Sequence, residues 1–139
     1  MNKIILNKLF ELADKSLKNN EFPVSAIIYK DNDIISYGYN NRNKTNITVN
    51  HAEIIAITNA NKKLNSWQLS NACMIVTLEP CDMCKLVINE ARIKEVYYLV
   101  PRYNYKKSYK GTTYNHLDLP TKELNKYIEN ITSFFKDKR

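Results

Sequence analysis

The chain of 139 residues contains few cysteines, few glycines and no long apolar run near its start. Three cysteines are too few for a disulfide-built scaffold, and the length is sufficient for one domain with a sizeable core. Residues 1–20 carry six charged side chains among the apolar ones, so we expect neither a signal peptide nor a membrane span. No repeat, linker or low-complexity block interrupts the sequence. These absences predict a single cytoplasmic domain over residues 1–139.

Positive charge is in excess and unevenly distributed. The formal net charge is +7, of which 102–117 contributes +4 and 136–139 contributes +2. The cations of the first segment alternate with aromatic residues, namely Tyr103, Tyr105, Tyr109 and Tyr114. This mixture suits the stacking of unpaired bases and the neutralisation of phosphates. An A+T-rich genome would also enrich Lys and Tyr, but it does not explain the segregation of charge, which favours RNA contact.

Two short motifs contain the residue types of a catalytic metal centre. They are His51-Ala52-Glu53 and Pro80-Cys81-Asp82-Met83-Cys84. Cys81 and Cys84 are three residues apart at a helix start signalled by Pro80, so both can chelate one ion. The free amides and the dipole at that N-terminus also favour thiolate over thiol. With His51, the two thiolates form a set of three zinc ligands.

Three protein ligands indicate a catalytic rather than a structural zinc site, because structural sites usually use all four tetrahedral positions. Zinc lowers the pKa of a bound water from about 15.7 to about 7. Glu53, which is not a ligand, can then move a proton from water to a leaving nitrogen, as hydrolytic deamination requires. His51 and Glu53 are two residues apart and converge only if a helix begins at Asn50 or His51.

Either motif alone has a simpler interpretation. A Cys-x-x-Cys pair is more often a redox pair or half of a structural zinc site. The redox interpretation leaves His51 and Glu53 without a role, whereas the two motifs in this order match the deaminase signature H-x-E…P-C-x-x-C. Two other functions remain open: a deaminase of free cytosine, guanine or nucleosides, and a non-enzymatic RNA-binding module with structural zinc. No fourth ligand stands at a recognisable spacing, which counts against the module.

Hydrophobic periodicity predicts alternating helices and strands. The predicted helices cover about 3–18, 51–64 and 81–91, and a last amphipathic helix begins at Pro120. The predicted strands cover 24–29, 34–39, 73–78 and 95–100, with a polar turn at 30–33 between the first two. The strand-helix-strand rhythm of 73–100 predicts a right-handed crossover between parallel strands. It also places the ligands beyond strand ends, where open α/β sheets hold their sites. Trp67 is expected to pack against the core.

The chain resembles the bacterial tRNA adenosine deaminases of the cytidine deaminase superfamily. The resemblance is carried by the stretches Glu21-Phe22-Pro23-Val24, Tyr39-Asn40, His51-Ala52-Glu53-Ile54, Thr77-Leu78-Glu79-Pro80-Cys81-Asp82-Met83-Cys84 and Ser133-Phe134-Phe135. It implies an α/β fold of three layers, α/β/α and cytidine deaminase-like, with a mixed sheet of four or five strands and helices on both faces.

The same resemblance implies roles for individual residues. His51, Cys81 and Cys84 would hold Zn2+, and Glu53 would shuttle protons. The flipped base would be hydrogen-bonded by Asn40, with Val24 and Ala52 also at the substrate. The anticodon loop would meet an aromatic-basic tail formed by Phe134, Phe135, Lys138 and Arg139. Members of that family are homodimers that convert adenosine to inosine at the tRNA wobble position, so the resemblance implies this reaction, a tRNA partner and a homodimer.

The sequence departs from that family after the fourth predicted strand. The family usually has an Asp and a Lys-x-Gly-Ala pattern there, whereas this chain has Pro101-Arg102-Tyr103-Asn104-Tyr105 followed by Lys107-Ser108-Tyr109-Lys110-Gly111. The short segment before the last helix predicts a fifth strand that is lost or reduced to a few residues near Thr113. These changes fall on the expected substrate surface and do not affect the chemistry.

Overall fold

The computed structural model describes residues 2–102, 109–119 and 121–137. Its helices are α1 (Lys3–Lys18), α2 (Arg42–Thr45), α3 (Ala52–Leu64), α4 (Asp82–Glu90) and α5 (Lys122–Asp137). Its strands are β1 (Ser25–Lys30), β2 (Asp33–Tyr39), β3 (Cys73–Leu78), β4 (Glu95–Val100) and β5 (Thr113–His116).

Within the described residues the strands form one mixed sheet in the order β2-β1-β3-β4-β5. β1 is antiparallel to both β2 and β3, while β3, β4 and β5 are parallel. The β1–β2 hairpin turns at Asp31, whose φ of 56° is a conformation that Asp tolerates better than most residues. The pairing of β3 and β4, which α4 connects, confirms that these two strands are parallel, as predicted.

Side chains of the central strands alternate between two cores. Ile28 and Met74 belong to a cluster that includes Ala56 and Ala60 of α3 and Ile88 of α4. On the opposite face, the strands pack against α1 and α5 through a cluster that contains Ile5, Leu9, Leu12, Ile27, Ile75 and Leu124. Helices therefore cover both faces of the sheet, which confirms the predicted three-layer α/β/α fold.

The predicted elements agree with the structure to within one or two residues, and the four-residue β5 starts at Thr113, where a reduced strand was predicted. Two expectations were wrong. A short helix, α2, lies in the segment predicted to be a loop. Trp67 does not pack in the core: it is 58% exposed, and its ring lies over the Arg92 guanidinium at 5.4 Å. The expectation that Trp67 packs against the core was wrong because a cation–π contact with Arg92 stabilises the indole at the surface. Pro120 lies outside the described residues.

In the part of the chain that the structure describes, none of the helices is both long and apolar enough to cross a membrane.

Candidate active site

His51 and Glu53 converge because α3 begins between them. His51 is the N-cap residue and has an extended backbone (φ −78°, ψ 154°), and Ala52 is the first helical residue. The change from extended to helical backbone turns two side chains that are two residues apart toward one side. Glu53 is only 3% exposed. The predicted helix start is therefore confirmed at His51.

Cys81 and Cys84 occupy the equivalent place at α4. Cys81 is the N-cap residue, again with an extended backbone (φ −70°, ψ 171°), and Cys84 lies in the first turn and is fully buried. The Nδ1 atom of His51 lies 3.5 Å from the Sγ of Cys84 and 3.8 Å from the Sγ of Cys81. The three candidate ligand atoms lie within 4.8 Å of one another. Two helix starts next to the sheet thus bring together residues from separate motifs.

The donor set and its spacing fit zinc. Two thiolate sulfurs and an imidazole nitrogen are preferred zinc ligands, with Zn–S near 2.3 Å and Zn–N near 2.0–2.1 Å. Tetrahedral angles then require a nitrogen-to-sulfur separation of about 3.6 Å. The observed separations of 3.5 and 3.8 Å match that requirement. His51, Cys81 and Cys84 are therefore positioned to hold a zinc ion.

Hydrogen bonds among the three candidate ligands shift their pKa values, and a bound cation would take the place of the protons in these bonds. Hydrogen bonding from Cys84, followed by that from His51, lowers the pKa of Cys81 to about 3. The pKa of Cys84 is raised, first by its hydrogen bond with Cys81 and then by burial. The hydrogen bond with Cys81 also raises the pKa of His51. One thiolate therefore exists at neutral pH, and metal binding is expected to release the remaining proton of the pair.

Glu53 has the environment of a proton carrier. Burial raises the pKa of its carboxyl group, and the neighbouring Cys81 charge adds to that effect, while a backbone hydrogen bond and the charges of His51 and Arg102 oppose it. A carboxyl group whose pKa approaches the working pH can both accept and donate a proton during a reaction. The carboxyl is not part of the three-residue ligand group.

A cavity of about 770 Å³ opens beside these groups, and it is lined by His51, Glu53 and Cys81. The same cavity is lined by four residues expected to bind substrate, which are Val24, Asn40, Ala52 and Phe134. Cys84 is fully buried and is not one of the lining residues. The substrate-binding roles of Val24, Asn40, Ala52 and Phe134 remain predictions. The side chain of Phe135 and the residues Lys138 and Arg139, also expected to meet RNA, lie outside what the structure describes.

Asn40 directly follows β2 and has local partners. Its Nδ2 donates to the Phe22 carbonyl at 3.1 Å, and its Oδ1 lies 3.5 Å from the backbone nitrogen of Arg42. The Phe22 ring makes an edge contact with Phe134, with the centroids 5.7 Å apart. These contacts orient the Asn40 amide at the cavity and place α5 on the same wall.

Several residues at the cavity were not identified from the sequence. The Nη1 atom of Arg42 lies 3.3 Å from the Nε2 of His51, and Glu21 accepts from the backbone nitrogen of Asn43 at 2.6 Å. Arg42 and Glu21 line the cavity, and so does Arg102, which belongs to the basic segment 102–117 that the sequence predicts to contact RNA. Glu21 belongs to a stretch that carries the family resemblance, which was a usable signal. Its partner is 22 residues away, so the contact could not be read from local spacing.

Gly38 of β2 was also missed, and it sets how closely α3 approaches the sheet. A Cβ atom at this position would meet the Ala52 carbonyl oxygen, the Ala56 nitrogen and the Ile55 Cβ at less than van der Waals distance. The absence of a side chain lets the start of α3 rest directly on β2. The glycine content of the sequence, with two glycines in all, was the signal that could have drawn attention to this position.

Comparison with curated proteins finds tRNA-specific adenosine deaminases. The protein from Streptococcus pyogenes serotype M18 is 43% identical over 86 residues, which are 62% of this chain and 54% of the relative. The Rickettsia bellii protein of the same name is 39% identical over 95 residues, covering 67% of this chain and 66% of the relative. The chain thus spans about half the length of the streptococcal relative.

Solved structures show the same fold. One of them comes from a study of A-to-I editing by tRNA:A34 deaminases at the wobble position of transfer RNA. It superposes with a TM-score of 0.73 at 25% identity, and the match covers 81% of this chain and 95% of that chain. A guanine deaminase from Bacillus subtilis gives 0.68 at 27% identity, covering 96% and 95%.

The family model described as the cytidine and deoxycytidylate deaminase zinc-binding region matches residues 2–100 and so includes both motifs of the candidate site. Because this match covers well over half of the sequence, the chain belongs to the zinc-binding cytidine and deoxycytidylate deaminase family.

Proposed function

We propose that this protein is a zinc-dependent hydrolase that converts adenosine to inosine at the wobble position of a tRNA anticodon, within a single deaminase domain over residues 1–139. The observation that carries the proposal is the buried Glu53 carboxyl, which lines one cavity together with two of the three candidate zinc ligands. The names of the S. pyogenes and R. bellii relatives and the similarity to a structure from work on tRNA:A34 deaminases support the choice of substrate.

The chemistry of the chain's own residues follows from their positions. Zinc, when bound, supplies Lewis-acid activation of water at neutral pH. Glu53 accepts one proton of the water that attacks C6 of adenine and delivers it to the ring nitrogen. It then carries the second proton, which is released as the C6 hydroxyl becomes a carbonyl, to the departing amine. One water is consumed, and ammonia and inosine are released. Burial suits Glu53 to this task because it raises the pKa of the carboxyl group.

The target base must leave its stack to enter the cavity. Flipping costs a few kcal/mol and costs least where the base is already unpaired, as in an anticodon loop. We expect the Asn40 amide to hydrogen-bond the flipped base and Phe134 to lie against the nucleotide, since both line the cavity. Aromatic and basic residues of the last helix and tail would extend the contact along the loop.

The test is incubation of the zinc-loaded protein with an anticodon stem-loop that carries adenosine at the wobble position. Nuclease digestion and chromatography then score inosine. A stem-loop with adenosine moved to a neighbouring loop position is the matched control. Inosine in the first RNA and little in the second is the expected result, and no inosine in either contradicts the proposal.

Deamination of free guanine is the second candidate, favoured by the superposition on the B. subtilis guanine deaminase. The two functions share the metal site and differ in the need for RNA. Release of ammonia from free guanine, cytosine or adenosine, at rates above that from the stem-loop, would select the second candidate.

We also propose that the protein acts in the cytoplasm and that it is a homodimer. The support from this chain is the outer face of α4, where Leu86 is 50% exposed although its neighbours on the helix pack inward. Light scattering on the purified protein measures the mass, and a monomer at micromolar concentration would contradict the dimer.

A further inference from the structure

Arg102 follows β4 and lines the same cavity as Glu53. Its backbone nitrogen donates to Oε1 of Glu79 at 3.1 Å, and its Nε donates to the Glu79 carbonyl oxygen at 2.6 Å. One residue therefore binds Arg102 at two points, through main chain and side chain. This arrangement limits the directions in which the guanidinium can extend.

Glu79 is itself held in place. Its Oε2 accepts from the Nζ of Lys85 at 2.8 Å, and its backbone nitrogen donates to the Val100 carbonyl at 2.8 Å. The Lys85 side chain is only 3% exposed, so this ion pair is buried beneath the start of α4. Lys85, Glu79 and Arg102 thus connect α4 with the ends of the neighbouring strands β3 and β4. The pair has no role in the deamination steps described above.

The charge of Arg102 acts within the cavity. It is one of the groups that lower the pKa of Glu53, against the larger effect of burial. Arg42 adds a second guanidinium to the lining. A free nucleobase or nucleoside offers no anionic group to such a cation, whereas a nucleotide within RNA carries a phosphate on either side. The planar fork of arginine is well suited to phosphate oxygens.

We propose that Arg102, oriented by Glu79 and Lys85, is a specificity-determining residue that binds a backbone phosphate next to the target nucleotide. The inference rests on the proposed function and names the part of the RNA that this residue recognises. Arg102 contributes to the selection of a polynucleotide over a free nucleoside. The competing account is that Arg102 only caps the Glu79 carbonyl.

The test compares Arg102→Gln with the wild type in the full-length, zinc-loaded protein. KM and kcat for the stem-loop are measured over a series of KCl concentrations. Loss of one phosphate contact on single-stranded RNA should flatten the slope of log KM against log salt by about 0.7. KM for the stem-loop at low salt should rise several-fold, and kcat should change less.

Lys94→Gln is the matched control. Lys94 is exposed and precedes β4, at the other end of the strand from Arg102. The six-residue strand β4 lies between them and, at about 3.3 Å per residue, separates the two by at least about 20 Å. The control removes the same charge, and its salt slope should equal that of the wild type. An unchanged slope in Arg102→Gln, or an equal change in Lys94→Gln, overturns the inference.

Arg102→Lys keeps the test decisive if Arg102→Gln does not fold. Lysine retains the charge but lacks the guanidinium fork, so the salt slope should stay at the wild-type value and KM should rise. A wild-type KM in this variant would overturn the inference. Failure of the proposed function is seen separately, because the wild type would then form no inosine at all. Anisotropy with a labelled stem-loop would still measure the salt slope of binding.

Discussion

Replacement of Gly38 by alanine should displace the start of α3 and the candidate site with it. The added Cβ would lie 2.9 Å from both the Ala56 nitrogen and the Ile55 Cβ, and closer still to the Ala52 carbonyl oxygen. Two of these three atoms are backbone atoms, so no side-chain rotation relieves the contact. The helix itself must move away from β2.

The size of the effect follows from these distances. Ordinary contact begins near 3.4 Å, so the helix must shift by at least about 0.5 Å, and by more near Ala52. Overpacking of this kind costs about 1–3 kcal/mol in the free energy of unfolding. A displacement of about 1 Å in a reacting group can lower the rate about 100-fold. His51 and Glu53 flank Ala52, so we expect weaker zinc binding and a large loss of kcat.

Urea unfolding, zinc content after dialysis and kcat on the stem-loop measure the three consequences. The chain's other glycine offers a matched control, because a Cβ at Gly111 would meet only the Asn89 Nδ2, at 3.5 Å. Gly111 has a φ of 105°, so Gly111→Ala should destabilise the fold through backbone strain and leave kcat unchanged. Wild-type stability, zinc binding and kcat in Gly38→Ala would refute the reasoning.

Other perturbations test the chemistry and the core. Glu53→Gln removes the proton carrier and should lower kcat about 100- to 10,000-fold, while the zinc content stays at one per chain. A variant that keeps more than a tenth of the wild-type activity would contradict this role of Glu53. Zinc removal by a chelator should abolish activity. It should also leave Cys81 open to alkylation at neutral pH, because the pKa of this thiol is lowered to about 3. Equal alkylation of Cys81 with and without zinc would argue against its role as a ligand. Tyr127 is 3% exposed, and its hydroxyl donates to the Pro23 carbonyl at 2.6 Å and lies 3.0 Å from the Thr77 hydroxyl. Tyr127→Phe should therefore cost about 1–3 kcal/mol of unfolding free energy at pH 7, measured by urea titration. Burial raises the pKa of Tyr127, so this stabilisation is fully present below pH 10 and is lost as pH rises further. The difference in unfolding free energy between wild type and Tyr127→Phe should shrink by up to about 1.4 kcal/mol for each pH unit above about 10. A difference that does not change with pH would contradict a raised pKa of Tyr127.

Local patterns predicted most of the secondary structure. The bounds of α1, β3 and β4 agree with the structure because each has a clear apolar period and a polar boundary. α2 was missed because its four residues bury nothing and leave no apolar pattern. Trp67 was misplaced because size and apolarity alone do not show which side of a loop faces the protein.

The reason that the candidate site was predictable is that its chemistry is encoded locally. Helix geometry relates Cys81 to Cys84, and the N-cap position relates His51 to Glu53, so residue type and spacing indicated three ligands and one unligated carboxyl group. Only the pairing of the two motifs needed the fold, which placed the Nδ1 atom of His51 3.5–3.8 Å from the sulfur atoms of Cys84 and Cys81.

The sequence by itself predicted the candidate donors, the proposed reaction class and the elements that present them, since each of the two motifs lies within one helical turn. The tertiary structure decided which side chains surround the donors. Arg102 meets Glu79 across 23 residues, and Tyr127 meets Pro23 across 104. Such contacts depend on strand order and helix packing, which arise from burial summed over the whole chain and leave no signal in the spacing of any one segment.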